Sequence, residues 1–169
     1  MQLFVERGFA ATTVPEIAAH AGLTTRTYFR HFDDKREVLF AAERELPQVV
    51  AGVMADAPAG LPPLPLIEHG LLAVTASRFT GLADLLRIRR SIIETDEGLQ
   101  ERELRKNAVL GDAIARSLSG RSFDPLTVRL TSQLAVAIFT ASLARWLDDE
   151  SRSLTEYVAE AFAVVRALG

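Results

Sequence analysis

Residues Thr12–Phe40 read TTVPEIAAHAGLTTRTYFRHFDDKREVLF. Thr13 is placed to cap a helix, and Glu16 three residues on completes a capping box by reaching back to the free Thr13 amide. Pro15 is tolerated because a first helical turn has no partner for its missing N–H. Ile17, Ala18 and Ala21 form an apolar stripe at helical spacing, and the small Ala18 lets a second helix approach. Gly22 ends the helix at a position able to take positive φ, with Leu23 as a hydrophobic plug beyond it. Thr24 caps a second helix reaching Phe32, and Asp34 with Glu37 opens a third. A helix, a glycine turn of about four residues and another helix make a helix-turn-helix, whose second helix enters the DNA major groove.

The second helix carries groups suited to that task. Its first turn, Thr25-Arg26-Thr27, exposes a guanidinium and two hydroxyls, and Arg30 lies one turn beyond Arg26 on nearly the same face. Tyr28 and Phe32 point toward the first helix. Arginine pairs two-fold with guanine O6 and N7, and a threonine methyl can contact a thymine methyl. Thr25, Arg26 and Arg30 are therefore candidate base readers. His20 faces away from the turn and reads as a solvated surface residue.

The segment resembles the TetR family of transcriptional regulators through Gly8, Thr12, Thr13, Val14, Ile17, Ala18, Ala21, Gly22, Leu23, Thr24, Thr27, His31, Phe32, Lys35 and Leu39, all in register with the family pattern. The run TRTYFRHF is similar to an actinobacterial-type subset with R-x-F-F at this place. The resemblance implies an all-α protein: an amino-terminal helix-turn-helix DNA-binding domain and a carboxyl-terminal helical domain for ligand binding and dimerisation. It implies base reading by the first residues of the second helix, and phosphate contacts from Thr13, Thr27, His31 and Lys35. The family's phosphate-binding tyrosine position holds Phe29 here, so either Tyr28 replaces that hydroxyl or the contact is lost. Family members carry further helical turns before Gln2, so the first helix (Met1 to Arg7, with Leu3 and Phe4 facing a core) is short relative to the family.

The 169 residues allow one large domain or one small and one medium, and 49% hydrophobic residues suffice for a buried core. Net charge is −3, so DNA binding must use a local patch rather than bulk charge. Arg26, Arg30, Lys35 and Arg36 provide one, opposed by Asp33 and Asp34. That excess is modest, and dimerisation is expected to supply the remaining affinity. The absence of cysteine excludes disulfides, thiolate metal sites and cysteine nucleophiles. Neither a signal peptide nor a membrane span is expected, since the uncharged run Leu130 to Ala144 is too short to cross a bilayer. The expectation is a soluble, cytoplasmic protein.

From Asp34 a helix is expected to run toward Met54, with Val38, Leu39, Ala42 and Leu46 inward. Pro47 falls inside that pattern, where it either kinks the helix as a hinge or ends it. Domains are placed at 1–46 and 47–169, and the stretch DAPAGLPPLP (Asp56 to Pro65) reads as a linker. Helices are then expected at about Leu66–Phe79, Leu82–Glu94, Glu97–Leu118, Pro125–Leu147 and Leu154–Leu168, with no strand. Asp124-Pro125 and the Ser153/Glu156 capping box mark two of the starts.

The helix from Pro125 is apolar nearly all round after Leu134, so every side of it needs cover. The last helix carries a stripe at three-to-four spacing. These two helices are the candidate dimer interface, through Leu134, Ile138, Leu143, Trp146, Tyr157, Val158, Phe162 and Val165. The family resemblance implies an effector pocket in the later helices whose occupation spreads the two DNA-reading heads. Candidate lining residues are Leu71, Val74, Arg78, Leu86, Arg89, Ile93, Asn107, Gln133 and Thr140. The lining suggests an apolar effector, with Arg78 or Arg89 as an anchor for an acid or phosphate group. Arg87, Arg89 and Arg90 read most simply as a solvated helix face.

An enzyme finds little support: the three histidines are scattered, no glycine-rich phosphate loop or metal-ligand spacing occurs, and no cofactor or metal is expected. A helical binding module that has lost DNA binding is a further alternative. The expected partners are operator DNA, a small apolar effector and a second copy of the chain, with no membrane. The resulting expectation is a homodimeric regulator, a repressor released from a palindromic operator by its effector.

Overall fold

The computed structural model describes residues 2–41 and 44–168, and among these no residue is in a strand. Among the described residues ten helices follow one another: α1 (Gln2–Arg7), α2 (Val14–His20), α3 (Thr25–His31), α4 (Glu37–Phe40), α5 (Leu46–Asp56), α6 (Pro63–Arg78), α7 (Ala83–Glu94), α8 (Glu97–Ser119), α9 (Pro125–Asp148) and α10 (Leu154–Ala167). The chain folds as two compact units, residues 1–44 with 85–103, and residues 45–84 with 104–169.

The boundaries expected after the linker hold to within a few residues because each helix starts on a local signal. Asp124 accepts the Leu126 and Thr127 amides at 3.0 Å each, and Glu156 accepts the Ser153 amide at 2.8 Å. Before the linker the structure differs. No single helix runs from Asp34 to Met54: α4 is one turn, and Pro47 sits in the first turn of a separate helix, α5. Proline there is neither kink nor terminator, because the first turn leaves amides unpaired in any case. The inward position expected for Ala42 lies outside the described residues. The linker is shorter than expected, since α6 already begins at Pro63.

The first unit is built around Phe4, Phe9, Leu39, Phe40, Ile92, Ile93 and Leu99, with Ile17, Val38 and Ile88 packed against them. A division at 46/47 assigns Ile92, Ile93 and Leu99 to the second domain, whereas the packing puts residues 85–103 with the first. Helix α7, through Ile92 and Ile93, and the start of α8, through Leu99, supply part of its wall. Charge pairs follow the same arrangement. Arg89 is buried, its Nε donating to the Leu39 carbonyl at 2.8 Å and Nη2 to the Glu103 carboxylate, with the guanidinium 4.7 Å from the Phe40 ring centroid. Arg102 donates to Glu37 at 2.8 Å, and Arg44 pairs with the same carboxylate.

The second unit packs α9 with α10, both of them with α6, and α5 with α6. Leu66, Leu118, Val158 and Phe162 are fully enclosed, and Phe79 meets Phe139 at 5.6 Å between ring centroids. Helix α9 has the length and hydropathy of a membrane span. Its buried side is spent on this core, through Val128, Ala135, Ile138, Phe139, Trp146 and Leu147.

Candidate DNA-reading helix and ligand cavity

Helices α2 and α3 are joined by a Schellman turn. The Leu23 amide donates to Ala18 O at 2.8 Å and the Gly22 amide to Ala19 O at 3.0 Å, with Gly22 at φ +69°. Ala18 is buried where α3 crosses, whereas Leu23 remains 40% exposed and does not plug the turn. Thr24 caps α3 by accepting the Thr27 amide at 3.1 Å. Glu16 accepts both the amide and the hydroxyl of Thr13 at 2.8 Å. The amide bond, opposed by a small burial cost and aided by the Arg7 guanidinium, holds the Glu16 carboxyl below its usual value.

Helix α3 presents Thr25 and Arg26 in its first turn and Arg30 and His31 in its last turn to solvent, with Thr27 half-buried. Among the described residues nothing engages the Arg26 guanidinium. Thr25, Arg26 and Arg30 are all exposed on this one helix. Two of the expected phosphate contacts are engaged within the fold. Tyr28 is 1% exposed, and its hydroxyl donates to the Asp34 carbonyl at 2.9 Å while its ring lies 5.1 Å from Phe32. Its ionisation is pushed up, first by burial and then by Asp34 and Glu37. Tyr28 therefore does not replace the missing hydroxyl, and Phe29 stands at the surface instead, 51% exposed.

Lys35 is the second correction. Its Nζ donates to Phe9 O at 2.8 Å and to Ala10 O and Thr12 O at 3.1 Å each, and lies 4.5 Å from the Phe9 ring centroid. An ammonium has three hydrogens, and all are used. Lys35 staples the α1–α2 turn to the segment after α3. Thr12 reinforces the same turn, its buried hydroxyl donating to Gly8 O at 2.8 Å. The hydroxyl of Thr13 is directed at Glu16, so a phosphate would have to compete for it; the Thr27 hydroxyl lies 3.0 Å from that of Thr24, and His31 Nε2 lies 3.4 Å from Arg30 Nη2.

In the second unit, Leu46, Val50, Met54, Ile67, Gly70, Leu71, Val74, Leu110, Ile114, Ala135 and Phe139 line a small, partly open pocket with about 20 Å³ of enclosed free space. The lining is entirely apolar. Of the expected pocket residues it contains Leu71 and Val74 alone. Arg89 and Ile93 are built into the first unit's interior, and Leu86 is buried outside the lining. Arg78 stands at the surface, 3.9 Å from Glu45. Gln133 is exposed, Asn107 is half-buried off the lining, and Thr140 donates to Val136 O of its own helix at 2.9 Å. No polar anchor reaches inside. The lining residues not anticipated, α5's Val50 and Met54 above all, lie in the stretch expected to end the long helix from Asp34. Gly70, a glycine in the middle of an apolar helix, was the visible signal.

Most of the expected dimer residues lie inside the protomer. Ile138, Trp146, Tyr157, Val158 and Phe162 are buried inside the protomer, and Leu134, Leu143 and Val165 are half-buried. Tyr157 also donates to Asp149 at 2.9 Å, tying the α9–α10 turn. The outward side of α9 is a different stripe: Leu126 (65% exposed), Leu130 (62%), Gln133, Ala137, Ala141 and Ala144; on α10 it is Ala163, Val164 and Leu168.

Residues 1–42 match the family described as bacterial regulatory proteins, tetR family, and residues 61–168 match the MftR C-terminal domain. The chain belongs to the TetR family of transcriptional regulators, with a helix-turn-helix as its DNA-binding element. Within that family its second region is of the MftR type. It is 30% identical to the mycofactocin biosynthesis transcriptional regulator MftR of Mycobacterium tuberculosis, over 99% of this chain and 85% of that protein. It is 27% identical to the regulator TcmR of Streptomyces glaucescens, over 83% of this chain but only 65% of TcmR's length. These relatives are named as transcriptional regulators, not as enzymes. Among solved structures it is similar to Thermus thermophilus FadR, a TetR family repressor in complex with lauroyl-CoA, with TM-score 0.61, 26% identity and coverage of 97% and 88%. PfmR of the same organism shares the fold, with TM-score 0.53, 16% identity and coverage of 97% and 92%.

Proposed function

We propose that the chain is a cytoplasmic, homodimeric repressor whose α3 helices read a palindromic operator and whose α5–α6–α8–α9 cavity takes an alkyl or acyl chain as effector. The observation that carries the reading is the exposed Arg26 guanidinium on the first turn of α3, with Thr25 and Arg30 beside it. In a family of DNA-binding regulators those groups are where bases are read. A repressing role is supported by FadR, named as a repressor. The domain division at about residue 46 remains the proposed functional one, with DNA contacts confined to α2 and α3.

The effector class follows from the lining. An all-apolar wall offers nothing to a buried charge or amide, which would cost several kcal/mol unpaired. The bound part must be hydrocarbon, with any polar head left at the mouth. Lauroyl-CoA, the ligand of FadR, has that division of character. Helix α8 contributes Leu110 and Ile114 to the cavity. Coupling of about 1–3 kcal/mol between effector and DNA is typical of such regulators.

Dimerisation uses the outward stripe of α9 with Ala163 and Val164 of α10, whose small side chains let helices of two protomers approach closely. The test is selection of bound duplexes from a random pool, followed by titration of the selected complex with lauroyl-CoA. The expected result is a two-fold symmetric site with half-sites about 34–36 Å apart, released by the acyl ligand. Binding without sequence preference would overturn the operator reading, and a complex indifferent to acyl ligands would overturn the effector reading.

A further inference from the structure

Ten of the eleven residues lining the cavity carry a side chain, and the eleventh, Gly70, stands in mid-helix where glycine is a poor choice. No backbone requirement explains it, since Gly70 is not among the glycines at positive φ. Its neighbour explains it. A Cβ at residue 70 would lie 3.0 Å from Met54 Sδ and 3.8 Å from Met54 Cγ, so the missing methyl is the recess in which the thioether rests.

Met54 is the one unbranched, freely rotating side chain in the lining, where the rest are aliphatic branched residues, alanine, glycine and one phenyl ring. Its backbone is held in place: Arg121 Nη2 donates to the Met54 carbonyl at 2.6 Å, at the end of α5. The anchored backbone and soft side chain confine any adjustment of this wall to the thioether itself. We infer that the Met54–Gly70 pair is the length gauge of the cavity, setting how many methylene groups of an alkyl chain it accepts. This inference rests on the cavity being the effector site.

Its test is calorimetric titration of the full-length protein with straight-chain fatty acids from octanoate to hexadecanoate, comparing wild type, Met54→Ala, Met54→Leu and Gly70→Ala. Truncating Met54 should move the best-bound chain longer by about two methylenes, the space of the lost thioether arm. Filling the recess by Gly70→Ala pushes Met54 into the cavity and should move the optimum shorter, in a variant that gains helix propensity. Met54→Leu, of similar volume, should keep the wild-type optimum. Each methylene gained or lost should change affinity about fourfold. Met54→Ala and Gly70→Ala both retaining the wild-type optimum would overturn the gauge while leaving the effector site standing. Failure of the wild type to bind any chain would overturn both.

Discussion

Replacing Lys35 with methionine keeps the length and most of the packing of the side chain and removes the ammonium. The structure assigns that ammonium three carbonyl acceptors, Phe9 O, Ala10 O and Thr12 O, at 2.8, 3.1 and 3.1 Å, with the Phe9 ring beneath. A hydrogen bond to a charged group is worth about 1.5–3 kcal/mol net. The three here share one charge, and the half-exposed site lets water reach the abandoned carbonyls, so their sum is well below three times that value. A loss of about 2–4 kcal/mol is expected once the ring contact is included. With a urea slope of about 1–3 kcal/mol/M, the unfolding midpoint followed by circular dichroism should fall by about 1–2 M. Operator binding measured against salt separates this role from a phosphate contact. Each phosphate contact contributes about 0.9 to the slope of log affinity on log salt, and the variant's slope should be unchanged, because the three carbonyls already take the ammonium's hydrogens. An unchanged urea midpoint together with a slope shallower by about one unit would refute the staple and return Lys35 to the DNA backbone.

Further tests address the other parts of the molecule. Arg26→Ala should cost about 1–3 kcal/mol on the selected operator and relax preference at one position per half-site, as read by repeating the selection with the variant; unchanged preference would remove Arg26 from the readers. Glu37 is held below its ordinary value of 4.5 by the Asp33 amide first and by Arg44 and Arg102, against the cost of burial. A depressed carboxyl stabilises the fold above its unfolded value and loses that contribution as pH falls through the folded one. Glu37→Gln should therefore be less stable than wild type at neutral pH, and the gap should close in acid below pH 4.5; a gap independent of pH in urea titrations would contradict it. Ala137→Glu, on the outward side of α9, should yield a folded monomer by analytical ultracentrifugation with unchanged helical content, and a persisting dimer would place the interface elsewhere.

Secondary structure was legible wherever a local signal decides it. Asp124-Pro125, Ser153 with Glu156, and Thr24 before Thr25 each settle a helix start through contacts within four residues, and the structure starts helices at all three. The helix-turn-helix was legible for the same reason, since Gly22 and its two backbone bonds complete the turn without help from the rest of the chain. Pro47 was ambiguous because a proline is compatible with the interior of a bent helix and with the first turn of a new one, and neighbouring residues do not distinguish them.

Which way each side chain faces was decided elsewhere. An apolar helix such as α9 has a stripe for its own protomer and a stripe facing outward, and hydrophobicity alone does not tell Ile138 from Ala137. Lys35 and Arg89 show the same limit for charge: a cation reads as surface or ligand-facing until the fold brings carbonyls from residues far away in sequence to meet it. The sequence by itself determined the helix-turn-helix, the capped helix starts after the linker and the family, because these rest on contacts a few residues apart. The cavity's lining, the buried place of Tyr28, the carbonyl partners of Lys35 and the outward face of α9 were decided only by the tertiary structure, since each depends on which distant segment packs against which side of a helix.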